Sequence, residues 1–139
     1  MGLSLKGRAK DILWGLWVAL IIYAVGFGIL YGLGEVKIVS VHFNLNDLLM
    51  SWVLMLMVAV SEEVAFRGFV LGRLLSAGVN RFVALFLSSA LFSLMHFLNP
   101  DFSLMAFLNI LLAGVLMGST YIYTRNLWFP IALHLFWNW

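Results

Sequence analysis

Long apolar segments separated by short polar connections dominate the chain. Four of them are each close to the length of a membrane-spanning helix. They occupy residues 12–33, 48 to about 75, 82–98 and 102 to about 123. Because about 20 apolar residues are needed to cross the roughly 30 Å hydrocarbon core, the pattern predicts an all-α, polytopic bundle of four transmembrane helices.

Two shorter stretches do not fit this length. Residues 127–139 form an apolar segment of about 20 Å as a helix, which predicts a short C-terminal helix. It is either a half-span held against its neighbours or the start of a truncated helix. Residues 39–46 alternate apolar and polar positions, which predicts a short strand or a segment at the membrane interface.

Composition supports a single integral membrane domain. The 139 residues are 64% hydrophobic and only 10% charged, whereas a soluble domain carries about 25% charged residues. The net charge of +2 and the absence of a basic run argue against a nucleic-acid partner. With no cysteine, the chain has neither disulfides nor thiolate chemistry.

The basic residues predict the orientation of the bundle. Lys6, Arg8 and Lys10 precede the first apolar segment, and Arg73 and Arg81 flank the second connection. The opposite connections are poorer in basic residues. By the positive-inside rule, the N-terminus is expected in the cytoplasm of a multi-pass membrane protein.

Charged residues interrupt the second apolar segment in the sequence SEEVAFR. Glu63 and Arg67 are four residues apart, so they share a helix face and can form an ion pair. One arginine cannot easily neutralise both this glutamate and Glu62. The remaining carboxylate is therefore a candidate general base, although an ion pair of purely structural importance is the simpler interpretation of Glu63 with Arg67.

Two further polar sites lie in other apolar segments. His96 is near the end of the third, and His134 and Asn138 share a face of the last one. Each has an alternative, since His96 could be a packing histidine and His134 with Asn138 an interhelical hydrogen-bonding pair. Together with Glu62 and Glu63 they supply a base and hydrogen-bond donors, which predicts activation of water and stabilisation of an oxyanion. His42, in the alternating segment, is expected to be solvated.

Two pairs of glycines have the G-x-x-x-G spacing. They are Gly28 with Gly32 and Gly114 with Gly118. Such pairs allow two helices to approach closely, either between copies of the chain or within one bundle, and packing within the bundle is the favoured interpretation.

Three motifs in this order resemble those of the CAAX-protease and bacteriocin-processing family, also called CPBP or ABI, which includes the type II CAAX prenyl endopeptidases. E-E-x-x-x-R is present at residues 62–67, F-x-x-x-H at 92–96 and H-x-x-x-N at 134–138. The resemblance covers residues 61–139, which would form the catalytic core. Residues 1–60 would then hold the cytoplasmic tail, the first span and the start of the second, whereas family members usually have more spans before the first motif.

The resemblance implies an intramembrane endopeptidase and a role for each motif residue. Glu62 would activate water with help from His96, while His134 and Asn138 would hold the oxyanion. Glu63 would orient the site, with Arg67 as structural support. Many members are labelled metalloproteases, and Glu62, His96 and His134 could be ligands of one zinc ion. A metal-free mechanism is nevertheless favoured, because the chain has no H-E-x-x-H motif.

The expected function is therefore cleavage of a peptide bond in a membrane-associated peptide or protein. The partners would be that substrate and the lipid bilayer. The alternative is a non-catalytic immunity or scaffold protein that keeps the same fold and binds a peptide partner.

Overall fold

The computed structural model describes residues 2–100 and 102–139, and every regular element among them is helical. This confirms the predicted all-α fold. The elements are α1 (Ala9–Gly32), α2 (Leu45–Glu63), a π-helical segment (Val64–Leu71), α3 (Gly72–Ser76), α4 (Arg81–Met95), α5 (Leu104–Thr124) and α6 (Trp128–Asn138).

Within residues 2–100 and 102–139, three helical stretches are long and apolar enough to cross a membrane. They are α1, α5 and the continuous run Leu45–Ser76, with mean hydropathies of 2.2, 1.8 and 1.8 respectively. The predicted third span is shorter than expected, because α4 ends at Met95 and a hydrogen-bonded turn follows at residues 96–99. Pro100 disfavours a helical conformation at the residue before it. The 15 residues of α4 thus cover only about 22 Å.

The alternating segment at 39–46 does not form a strand. Residues 39–44 are irregular and exposed, and α2 begins at Leu45. The Asn44 side chain caps this helix by accepting a hydrogen bond of 3.0 Å from the backbone N–H of Asn46. No strand lies elsewhere in the described residues to pair with this segment, so the strand prediction is wrong.

The second span changes its helical geometry where the charged residues lie. The α-helical turns of α2 end at Glu63, and the wider π-helical turns that follow carry Arg67. Stretches of π-helix are rare and are often found at functional sites. The wider turns position the Arg67 side chain within the bundle.

The short helix α6 is held inside the bundle against α1, α2 and α5. It approaches α1 closely at Gly15, where a Cβ atom would lie only 2.5 Å from the carbonyl oxygen of Phe129 and 2.9 Å from Cβ of Ala132. Ala19, one turn later on α1, is also fully buried. The residues of α6 are therefore packed against neighbouring helices over the part of the chain that the structure describes.

Side-chain hydrogen bonds fix the last turn of α6. The Tyr23 hydroxyl of α1 donates to the carbonyl oxygen of Trp137. The indole N–H of Trp139 reaches α2, where it lies 2.9 Å from Oγ of Ser51 and 3.2 Å from the carbonyl oxygen of Leu48. The end of α6 is thereby attached to two other helices.

The start of α6 is attached to the N-terminal segment. The backbone N–H of Leu127 donates to the carbonyl oxygen of Gly2 at 2.9 Å. The Asn126 side chain donates to Ser4, and the Trp128 indole N–H donates to the Leu3 carbonyl oxygen at 3.0 Å. Both ends of α6 are therefore anchored by residues distant in sequence.

The two glycine pairs have different surroundings. A Cβ atom at Gly114 would lie 3.0 Å from Cβ of Ser89, and one at Gly118 would lie 2.5 Å from Leu85, so this pair allows close packing of α5 on α4. Packing within the bundle is thus confirmed for Gly114 and Gly118. A Cβ atom added at Gly28 or Gly32 would have no described atom within 4 Å, apart from the nearby residues of its own helix.

Candidate active site

Glu63 is at the centre of a buried hydrogen-bonding network. Its side chain is fully buried, and its Oε1 atom accepts hydrogen bonds from Nη1 of Arg67 at 2.9 Å and from Nδ1 of His134 at 2.7 Å. The first of these bonds confirms the predicted Glu63–Arg67 pair. The second joins α2 to α6, so one carboxylate oxygen connects the first and third sequence motifs.

Arg67 has three kinds of partner in its buried position. It pairs with Glu63, donates from Nη2 to the carbonyl oxygen of Gly114 at 3.3 Å, and lies over the Phe92 ring with 4.3 Å between Cζ and the ring centroid. Removing a charged group from water is costly unless it is paired and hydrogen-bonded. These contacts meet that requirement for a side chain that is only 1% exposed.

Phe92 connects the second motif to the other two. Its ring centroid lies 4.9 Å from that of His96 and 5.8 Å from that of His134, both in edge-to-face geometry. Its carbonyl oxygen lies 2.8 Å from Nδ1 of His96. A carbonyl oxygen can only accept, so Nδ1 of His96 carries a proton and Nε2 is left as the acceptor in the neutral ring.

The same reasoning assigns the protons of His134. Its Nδ1 faces the Glu63 carboxylate, which also binds Arg67, so Nδ1 is the donor. In the neutral ring Nε2 then has a lone pair, and it lies 3.6 Å from Oε2 of Glu62. This separation is slightly longer than a hydrogen bond. Glu62 and His134 are therefore neighbours that a small shift would bring into hydrogen-bonding contact.

The two adjacent glutamates are in different environments. The Glu63 side chain is 0% exposed, whereas that of Glu62 is 29% exposed. Among the described residues, Oε2 of each glutamate is buried and has no hydrogen-bonding partner. Glu62 is thus the more exposed of the two carboxylates, while Glu63 holds Arg67 and His134 in place.

A cavity of about 220 Å³ adjoins this network. Three of the predicted site residues line it, namely His96, His134 and Asn138. His134 is the residue that belongs to both the cavity and the buried network. The remaining lining residues are Phe92, Asn109, Ile110, Ala113, Met117 and Trp137.

Asn109 is a cavity residue that the motifs do not include. It lies on α5 and faces the cavity with Ile110, Ala113 and Met117, which share one side of that helix. The available signal was a single carboxamide in the apolar first half of the span, because polar residues at membrane depth tend to face the bundle interior.

Serine side chains of α4 also support the site. Oγ of Ser88 donates to the carbonyl oxygen of Phe66 at 3.0 Å, and Oγ of Ser93 donates to that of Phe107 at 2.7 Å. These bonds tie α4, which carries Phe92, to the π-helical segment and to α5. His42 lies apart from the site, in the exposed irregular segment before α2.

The described side chains do not form a ready metal site. In the part of the chain that the structure describes, no three His, Asp or Glu side chains are grouped closely enough to hold one ion. The alternative zinc ligands Glu62, His96 and His134 are accordingly not grouped around one point in this arrangement.

The fold and the site together define a helical integral membrane protein with a buried carboxylate–histidine network beside a cavity. The chain belongs to the family described as type II CAAX prenyl endopeptidase Rce1-like, whose model matches residues 44–139. Its general class is thus that of the CAAX-protease-like membrane endopeptidases. Neither the curated proteins nor the solved structures gave a match to this chain.

Proposed function

We propose that the protein hydrolyses a peptide bond of a membrane-associated peptide or protein, with Glu62 activating the attacking water. The main support is the relationship between Glu62 and His134. A partly exposed carboxylate lies 3.6 Å from Nε2 of a histidine whose other nitrogen is held by Glu63. A partly exposed carboxylate beside a histidine of fixed orientation is a suitable arrangement for general-base catalysis.

The hydrolysis would proceed in two steps. Glu62 accepts a proton from water as the water oxygen forms a bond to the carbonyl carbon, and Nε2 of His96 helps to orient that water. The tetrahedral intermediate then collapses with cleavage of the C–N bond. The proton that Glu62 accepted passes to the departing amine nitrogen, so one water molecule is consumed for each peptide bond.

The cavity residues would stabilise the oxyanion of this intermediate. The Asn138 carboxamide can donate directly. His134 can donate a hydrogen bond from Nε2 only while that atom carries a proton. Nε2 gains this proton when Glu62 shares with it the proton taken from water. Stabilisation of the oxyanion by His134 would therefore be coupled to the first proton transfer. No step in this mechanism is assigned to a metal ion.

The test is cleavage by the purified protein in lipid nanodiscs of a fluorogenic library of membrane peptides, with and without a prenylated cysteine. Wild type would be compared with Glu62→Gln and His96→Ala, each with and without a chelator. The matched control is Glu35→Gln, which changes an exposed carboxylate outside the site.

We expect wild type and Glu35→Gln to cleave equally, and Glu62→Gln to lose about a hundredfold or more in rate. Cleavage that persists with chelator supports the metal-free mechanism. Loss with chelator and recovery with zinc would replace it by a metalloprotease mechanism. If wild type and both site variants are folded and equally inactive, the non-catalytic binding protein becomes the better description.

A further inference from the structure

A lateral cleft opens on the other side of Asn109 from the active-site cavity. It has a volume of about 600 Å³ and is lined by residues of α1, by Asn109 of α5 and by Trp137 of α6. The α1 residues that line it include Tyr23, Gly26 and Phe27. The cleft exists because α1 packs on α6 rather than on α5.

Asn109 and Trp137 are the two residues that line both the cleft and the cavity. They therefore mark the place where an apolar, lipid-facing space meets the space containing His96, His134 and Asn138. The cleft is otherwise lined mainly by apolar side chains, and Phe27 is 47% exposed on its outer side. A ligand that uses both spaces must combine apolar groups with a polar group at this junction.

A peptide segment in extended conformation has this combination. Its side chains can be apolar, while its backbone offers one N–H donor and one C=O acceptor at each residue. The Asn109 carboxamide has two donors and an acceptor, so it can pair with both backbone groups at once. A lipid acyl chain has neither group to offer the carboxamide.

Resting on the proposed peptidase function, we infer that substrate reaches the active site laterally through the α1–α5 cleft, and that Asn109 binds its backbone next to the cleaved bond. Asn109 would be a substrate-binding residue of the reaction. The cleft would bind the apolar side chains on one side of that bond.

Gly26 and Gly28 provide a matched test of the cleft. At both positions an added Cβ meets no described atom within 4 Å, so a larger side chain can be accommodated. Only Gly26 lines the cleft, since the two residues lie about 200° apart around the helix. We expect Gly26→Phe to reduce kcat/KM for a membrane-embedded peptide about tenfold or more, and Gly28→Phe to match wild type.

Asn109 is tested by removing and restoring its carboxamide. Loss of one or two neutral hydrogen bonds predicts a fall in kcat/KM of about tenfold for Asn109→Leu, mainly through KM. Asn109→Gln should recover part of this loss because the carboxamide is retained. An unchanged KM in Asn109→Leu would contradict the assigned role.

Cross-linking tests the same inference without catalysis. The natural chain has no cysteine, so Gly26→Cys or Gly28→Cys introduces a single thiol, each combined with Glu62→Gln to prevent cleavage. We expect a peptide that carries one cysteine to form a disulfide with Gly26→Cys and not with Gly28→Cys.

The possible results separate the two proposals. If wild type cleaves peptides but neither Gly26 variant has an effect or forms a cross-link, the lateral route is wrong and the peptidase function stands. If wild type is inactive but the peptide cross-links at Gly26→Cys, peptide binding in the cleft stands and hydrolysis fails. Contact of a spin-labelled lipid with Gly26→Cys that peptide does not displace would overturn the inference in favour of a lipid.

Discussion

Oε1 of Glu63 lies 2.7 Å from Nδ1 of His134, a residue 71 positions further along the chain. The same oxygen atom accepts a hydrogen bond from Arg67. A single carboxylate therefore stabilises a buried guanidinium group and orients the histidine that faces Glu62. Stability and the proposed chemistry depend on the same side chain.

Loss of the Glu63 charge is expected to destabilise the protein strongly. In Glu63→Gln the buried Arg67 keeps its charge without a carboxylate partner, which costs about 3–5 kcal/mol in the free energy of unfolding. Reversible unfolding in mixed micelles would measure this, with Glu35→Gln as the exposed control.

A double-mutant cycle then measures the coupling energy between Glu63 and Arg67. In Glu63→Gln/Arg67→Met both charges are absent, so the loss of stability should be clearly smaller than the sum for the two single variants. Additive losses would show that the pair contributes no coupling energy.

Gly15→Ala should weaken the contact between α1 and α6. The added methyl group would lie 2.5 Å from a backbone carbonyl oxygen, which cannot move aside as a side chain can. Overpacking of this kind predicts a loss of about 1–3 kcal/mol.

Gly28→Ala is the control for this substitution on the same helix, because an added Cβ has open space there. Alanine also has the higher helix propensity, so we expect equal or slightly greater stability in thermal unfolding. Equal effects of the two substitutions would contradict the close approach at Gly15.

Trp139→Phe should reduce activity more than stability. The variant loses the indole N–H that reaches Ser51 and Leu48, while the aromatic ring remains. One hydrogen bond contributes about 1 kcal/mol net. Its loss corresponds to about a fivefold change in the equilibrium between the packed and unpacked end of α6.

His134 and Asn138 lie on this helix, so peptide cleavage should fall by a similar factor. The thermal midpoint should change little. Trp14→Phe is the control, since Trp14 is 62% exposed on α1 and lines no part of the active-site cavity. Faster hydrogen exchange of the last turn of α6 would be seen in Trp139→Phe alone.

The orientation in the membrane can be tested with single cysteines. Basic residues near the N-terminus favour the cytoplasm for this end of the chain. In sealed cells, an impermeant maleimide should label Val39→Cys, which is in the exposed segment between α1 and α2, and should label Leu5→Cys only after permeabilisation. The reverse pattern would invert the predicted topology.

Local relationships in the site were predictable from the sequence, and distant ones were not. The pairing of Glu63 with Arg67 follows from their separation by four residues. The hydrogen bond between Glu63 and His134 depends on how α6 packs in the bundle. The spacing of residues within one segment carries no information about that packing. The π-helical geometry around Arg67 was also missed, because an apolar pattern does not distinguish one helical geometry from another.

The glycines illustrate the same limit. Gly28 with Gly32 and Gly114 with Gly118 have identical spacing, but only the second pair faces a neighbouring helix. The close contact of α1 is instead made through Gly15, which belongs to neither pair. The G-x-x-x-G spacing predicts a helix face made of small residues. The arrangement of the other helices decides whether a neighbouring helix packs against that face.

The packing of α1 on α6 has a consequence for biosynthesis. Ribosomes make α1 well before α6, yet the groups that Gly15 contacts, the Phe129 carbonyl and the Ala132 side chain, belong to α6. During translation α1 must therefore remain in the bilayer without its principal partner. The nascent protein would depend in this interval on the insertion machinery or on lipid to shield the small-residue surface, and assembly of the active site would await release of the α6 segment from the ribosome.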